Sequence, residues 1–210
     1  MKKNNLVIGF DLDGVIVNSL SVMEKSWTEL SKKNNIRIPF SSYKKNIGLK
    51  FNVILKNIGL DKNLNDIVHK EYFEGTKKYQ NEVKLYPFVI ETFEELKKRS
   101  ISTFIVTSKP RRNTVLLLNM FNINIDLLVC ADDITNGKPN KESGDIVYNK
   151  FGKKDILYVG DMESDRQFAE NCNFKFIYAA YGYGSMSKDV QIKIINFKQI
   201  LDISSAIYKA

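Results

Sequence analysis

Apolar residues fall along this chain in two spacings. Short unbroken runs occupy Leu6 to Phe10, Thr103 to Val106, Leu127 to Cys130, Ile156 to Val159 and Phe176 to Ala179. Their length and their branched or aromatic content suit strands buried on both faces, as in a parallel sheet. Between them the spacing changes to that of amphipathic helices, predicted at Glu91 to Arg99, Asn113 to Phe121, Lys141 to Lys150 and Asp165 to Asn171. Such alternation of strand and helix predicts an α/β fold with a doubly wound parallel sheet. One stretch departs from it. From about Val17 to Lys84 no strand signal occurs; Val22, Trp27 and Leu30, then Phe51, Ile54, Leu55 and Ile58, then Ile67, Tyr72 and Phe73 recur at helical spacing. This is a helical insert whose aromatic stripe, Trp27 included, reads as core packing. No internal repeat, low-complexity run or heptad array is visible.

Chemistry collects where the strands end. The first strand runs into Asp11-Leu12-Asp13-Gly14, and Gly14 permits the sharp backbone path that lifts both carboxylates out of the sheet at its carboxyl end. Open α/β sheets bind ligands there. A carboxylate can attack phosphorus, and a second one nearby can serve as acid and base, which makes Asp11 the candidate nucleophile and Asp13 the candidate proton carrier. Taken alone, Asp13-Gly14 reads equally as an Asx turn. The strand to Val106 ends in Thr107-Ser108-Lys109-Pro110, whose hydroxyls and N–H groups suit phosphate oxygens. Gly137-Lys138-Pro139 sets a positive point charge before a helix, with Pro139 at the expected first helical position. The strand to Val159 runs into Gly160-Asp161-Met162-Glu163-Ser164-Asp165, a carboxylate set suited to Mg²⁺, which takes oxygen ligands.

These four segments, in this order, resemble the four motifs of the haloacid dehalogenase-like hydrolases, nearest their phosphoglycolate phosphatase-like and β-phosphoglucomutase-like branch. Leu85-Tyr86-Pro87-Phe88 to Lys98 and Tyr181-Gly182-Tyr183-Gly184 also look like counterparts. The resemblance implies a catalytic core of residues 1–16 and 86–210 and an all-helical C1-type cap of residues 17–85, hinged near Val17 to Ser19 and Val83 to Pro87. It makes Asp11 the phosphorylated nucleophile, Asp13 the general acid/base, and Thr107 and Lys138 the phosphate holders, with Lys141 as a rival to Lys138. Ser108, Gly14 and Lys50 are implied substrate contacts, Lys50 through the Ile47-Gly48-Leu49-Lys50 loop. Asp11, Asp13, Asp161 and Asp165 are the implied Mg²⁺ site, Asp165 as ligand or supporting carboxylate; Glu163 is read as a solvated loop residue.

The implied activity is Mg²⁺-dependent hydrolysis of a small phosphorylated metabolite through an aspartyl-phosphate. Val15 stands where many mutases of the branch carry Val, so a β-phosphoglucomutase-like phosphotransferase is the alternative, although no histidine occurs between Asn18 and Asp66. A non-catalytic binding module on the same fold is a third reading, since a fold alone does not establish activity.

Composition narrows the picture. The 210 residues carry a net charge of +8, but basic pairs such as Lys32-Lys33, Lys77-Lys78, Arg111-Arg112 and Lys153-Lys154 are scattered, unlike the clustered basic face of a nucleic-acid binder. Nucleic acid is therefore not an expected partner. Cys130 and Cys172 lie outside the motifs and are expected to pack as small apolar residues, and His69 to be solvated rather than a ligand. The opening Met1-Lys2-Lys3-Asn4-Asn5 and the short apolar stretch after it read as neither signal peptide nor membrane span. A soluble cytoplasmic protein, monomeric or weakly dimeric, is expected.

Overall fold

The computed structural model describes residues 5–152, 154–186 and 190–209. Met1 to Asn4 of the basic opening, and Lys153 of the Lys153-Lys154 pair, lie outside the described residues.

Six strands, β1 (Leu6–Phe10), β4 (Ser102–Val106), β5 (Leu127–Val129), β6 (Asp155–Gly160), β7 (Lys175–Ala179) and β8 (Lys193–Ile194), form one sheet in the order β5-β4-β1-β6-β7-β8. Every pairing in it is parallel. The predicted runs thus appear as strands with ends moved by at most one residue; the two-residue β8 was too short to read.

Pleating sends alternate side chains to opposite faces. Ile8, Phe10, Ile105, Leu157, Val159 and Ile177 build one core layer, covered by α5 (Val89–Lys98), by Phe197 and by Ile200 at the start of α9 (Ile200–Lys209). Phe10 sits between Phe93 and Phe197, with ring centroids 5.2 and 5.4 Å away. Val7, Phe104, Val106, Val129, Ile156 and Tyr158 build the other layer, against Val147 of α7 (Glu142–Phe151) and Phe168 and Ala169 of α8 (Glu163–Asn171). Between β4 and β5 runs α6 (Arg111–Met120).

The stretch without strand signals folds into α1 (Leu20–Lys33), α2 (Phe40–Lys44), α3 (Phe51–Asn57) and α4 (Asn65–Lys78) around their own core of Trp27, Leu30, Tyr43, Phe51, Ile54, Leu55, Val68 and Tyr72. Trp27 is a core residue whose indole N–H donates to the Ile38 carbonyl at 2.9 Å. A two-stranded antiparallel ribbon, β2 (Val17–Asn18) with β3 (Lys84–Leu85), ties the insert to the sheet. Its two strands lie in the stretches expected to act as hinges.

Helices α5 and α6 begin two residues before the predicted Glu91 and Asn113, and two boundaries beside the strand-end motifs change as well. Pro139 does not open α7, which begins at Glu142. Asn140 takes a turn first: its Oδ1 accepts the Glu142 N–H at 2.9 Å, while the Glu142 carboxylate accepts the N–H groups of Thr135 and Asn136. Nor is Glu163 a loop residue. Asp165 Oδ2 accepts the Met162 N–H at 3.0 Å and starts α8 two residues early, and Glu163 in its first turn pairs with Arg166. Cys130 and Cys172 are buried unpaired thiols, and the exposed His69 ring lies edge-on to Phe51.

Candidate active site

β1 lies between β4 and β6, so the chain segments leaving these three strands converge at one crevice. The Asp11 N–H donates to Val159 O and the Thr107 N–H to Val129 O, each at 2.9 Å, so each residue extends the sheet by one hydrogen bond before its chain turns away. Gly14 has φ +89°, and a Cβ there would fall 2.2 Å from Asp161 Oδ2; glycine lets the first loop close onto the carboxylate that follows β6.

Lys138 lies at the centre of the charge arrangement. Only 3% exposed, its Nζ donates to Asp11 Oδ1 at 2.7 Å and to Asp165 Oδ1 at 2.6 Å, and meets Tyr158 OH at 3.2 Å. Burial opposes the ammonium, but Asp11 and Asp165 outweigh it and hold its pKa well above the ordinary lysine value. Of the two rival lysines, only Lys138 reaches these carboxylates; Lys141 stands exposed at the start of α7.

Asp11, Asp161 and Asp165 each offer a carboxylate oxygen within 4.8 Å of the others. The three are not equivalent. Asp165 spends Oδ1 on Lys138 and Oδ2 on the N–H groups of Asp161 and Met162, so it is fixed as a support. Asp161 Oδ2 accepts the Tyr183 N–H at 2.6 Å, while its Oδ1 is buried and accepts no hydrogen bond among the described residues. Burial, then the charges of Asp165 and Asp11, push the Asp161 carboxyl well above its ordinary pKa. An orphaned, desolvated carboxylate oxygen beside a second carboxylate fits a hard divalent cation held by Asp11 and Asp161.

The Asp13 carboxylate is turned away from this cluster. Ser19 Oγ donates to its Oδ1 at 2.5 Å, and Lys109 Nζ lies 3.1 Å from its Oδ2. Tyr183 supports this pair: its hydroxyl accepts the Ser19 N–H at 2.6 Å and donates to Val17 O at 3.2 Å. Sequence reasoning gave Ser19 only a place in a hinge and assigned Lys109 no role of its own, although Lys109 lies inside the Thr107 to Pro110 motif and Tyr183 inside the glycine-tyrosine run.

Asp11, Asp13, Thr107, Ser108 and Lys109 share a cavity with Ile47, Gly48 and Leu49 of the insert. Ser108 Oγ donates to Gly48 O at 2.6 Å across its edge. Lys50 is not brought in. Its stem lies over Gly137, where a Cβ would fall 2.4 Å from Lys50 Cγ, and its Nζ donates to Ile134 O at 2.8 Å and Thr135 O at 3.1 Å. Gly14 likewise packs on Asp161 and does not line the cavity.

Residues 8–179 match the family model of the haloacid dehalogenase-like hydrolases. The chain belongs to that family. This haloacid dehalogenase-like hydrolase is 26% identical over 177 residues, 82% of each chain, to the pyrophosphatase PpaX of Oceanobacillus iheyensis. It is 29% identical over 193 residues to a phosphoglycolate phosphatase of Haemophilus influenzae, covering 84% of this chain and 86% of the relative. A hydrolase from Pseudomonas syringae has the same fold, with TM-score 0.86 at 20% identity over 96% of this chain and 99% of the other. The relatives put the chain on the phosphatase side of the family, in its phosphoglycolate phosphatase-like branch. No helix among the described residues is long and apolar enough to cross a membrane.

Burial pushes the Asp11 carboxyl up to about 7, Lys138 pulling it down and Asp165 adding to the rise. An acid whose pKa is higher folded than unfolded holds its proton more tightly in the folded state, so its contribution to stability falls as pH rises from the ordinary 3.8 to about 7 and then levels off. In chelator, urea unfolding of wild type and Asp11→Asn should differ in that sense: the wild-type stability minus that of the variant should drop by about 1 to 4 kcal/mol across the window. A difference that stays flat or rises with pH would contradict the burial argument.

Proposed function

We propose that this protein is a Mg²⁺-dependent phosphatase that hydrolyses a small phosphomonoester through an aspartyl-phosphate on Asp11. The observation that carries the reading is Asp11 itself, a carboxylate at a strand end between the buried Lys138 ammonium and the orphaned Asp161 oxygen. A phosphomonoester brings a dianion against carboxylates, so the site needs positive charge. Lys138 supplies one charge from the sheet side, and bound Mg²⁺, held by Asp11 and Asp161, would neutralise the remainder where the phosphoryl oxygens lie.

In the first half-reaction an Asp11 oxygen attacks phosphorus, the P–O bond to the leaving group breaks, and Asp13 gives its proton to the departing oxygen. In the second, Asp13 takes a proton from water as the water oxygen attacks the aspartyl-phosphate, which frees phosphate and restores Asp11. The Thr107 N–H is spent on Val129 O and the Lys109 N–H on Thr107 Oγ1, so the Thr107 hydroxyl proton and the Ser108 N–H would hold phosphate oxygens. Ser19 and Lys109 orient Asp13 between its two tasks. The helical insert of residues 17–85 acts as the cap that excludes bulk water, moving on the β2–β3 ribbon.

Phosphate release from a panel of phosphomonoesters, with Mg²⁺ and with chelator, tests the reading, with sugar-phosphate isomers followed in the same assay. Release that persists in excess chelator would overturn the metal requirement, and isomerisation without release would make the protein a mutase. The metal pair has its own check. Mg²⁺ should raise the melting temperature of the wild type by several degrees through binding to the folded state alone, and Asp161→Ala should lose that response. An equal shift in the variant would move the metal elsewhere.

A further inference from the structure

The cavity has two unlike walls. Its floor carries the reacting carboxylates and the Thr107 to Lys109 turn, whereas the insert closes it with Tyr43, Ile47, Leu49, Phe51, Tyr72 and Phe73. These six form a hydrocarbon and aromatic surface: Phe51 stacks on Tyr72 at 4.7 Å and meets Phe73 at 5.0 Å. The two phenol groups are joined by one hydrogen bond, Tyr43 OH donating to Tyr72 OH at 2.7 Å. With phosphorus at Asp11, a leaving group has this wall as its surroundings.

Positive charge is already committed. Lys109 faces Asp13, Lys138 faces Asp11 and Asp165, and Lys50, the cation of the loop that forms part of the wall, is tied to the carbonyls of Ile134 and Thr135 outside it. Among the described residues the insert sends no cationic side chain into the cavity. A second anionic group on the substrate would lose its water against this wall with no counter-charge, which disfavours its binding. Space is limited too: the cavity volume is about 40 Å³.

We propose that the site selects phosphomonoesters whose leaving group is small, uncharged and apolar, and rejects those with a second anionic group, the six wall residues setting this preference. The proposal rests on the phosphatase reading above, and deepens it by naming the substrate class. Isobutyl phosphate and phosphoglycolate make a matched pair, since a branched pair of methyls in one takes the place of the carboxylate oxygens of the other.

With wild-type protein and Mg²⁺, kcat/KM should favour isobutyl phosphate over phosphoglycolate by about tenfold or more, and inorganic pyrophosphate should also be the poorer substrate. Calorimetric binding of the same compounds to Asp11→Asn should show the same order without turnover. Leu49→Lys, at a partly exposed wall position, should narrow or reverse the preference. If no ester is hydrolysed but binding keeps the order, the phosphatase reading fails and the selectivity stands. Equal or better binding of phosphoglycolate or pyrophosphate, no binding of isobutyl phosphate, or a folded Leu49→Lys variant with an unmoved preference, would overturn it.

Discussion

Asp11→Asn should lower kcat by more than about a thousandfold while leaving the fold intact, because an amide of nearly the same size cannot form the phosphorylated intermediate. Folding should survive. The buried Lys138 ammonium keeps Asp165 as partner at 2.6 Å, so the substitution does not strand a charge. Phosphate release under single-turnover conditions and circular dichroism of the same sample check both halves. Substantial activity in a folded Asp11→Asn protein would sink the covalent route, since Asp11 and Asp13 line the cavity while Asp161 and Asp165 do not.

Lys138→Met should be the most damaging substitution for stability. Among the described residues the lysine is the one cation that touches both Asp11 and Asp165, and removing it leaves the carboxylates of Asp11, Asp161 and Asp165, all buried, with oxygens within 4.8 Å of one another. Breaking a buried charge pair from one side costs about 3 to 5 kcal/mol, because the remaining charge is neither paired nor hydrated. In a domain of this size that corresponds to a fall in melting temperature of about 6 to 20 °C. Added Mg²⁺ or lower pH should recover part of the loss, since each neutralises the stranded carboxylates. The double variant Lys138→Met/Asp165→Asn should be more stable than Lys138→Met alone, a coupling that a double-mutant cycle reads directly. Additive losses would show that Lys138 contributes through packing rather than charge.

The legible part of this protein is the part that local physics writes into consecutive residues. A strand buried on both faces must be an apolar run, and so β1, β4, β5, β6 and β7 were readable from Leu6–Phe10 to Lys175–Ala179. An insert that folds around its own core must carry helical stripes, and Trp27, Phe51, Ile54, Leu55 and Tyr72 gave it away. Residue types at strand ends were equally readable, because a turn out of a sheet needs glycine at Gly14 and polar side chains beside it.

Which of those side chains face one another was a different matter. Asp13 and Asp165 are both acidic residues near strand ends, yet one is held by Ser19 and Lys109 at the cavity and the other by Lys138 and two backbone N–H groups beneath it. Lys50 and Lys138 both follow or lie near glycines, yet the first is drawn off to two carbonyls and the second reaches Asp11 across 127 positions of chain. By itself the sequence determined the sheet, the insert and the kinds of groups that gather where β1, β4 and β6 end, because periodicity and turn chemistry act over a few residues. Only the tertiary structure decided which carboxylates share a cation, which lysine neutralises them and what wall closes the cavity, because crossovers between distant strands bring those charges together and burial makes each pairing count.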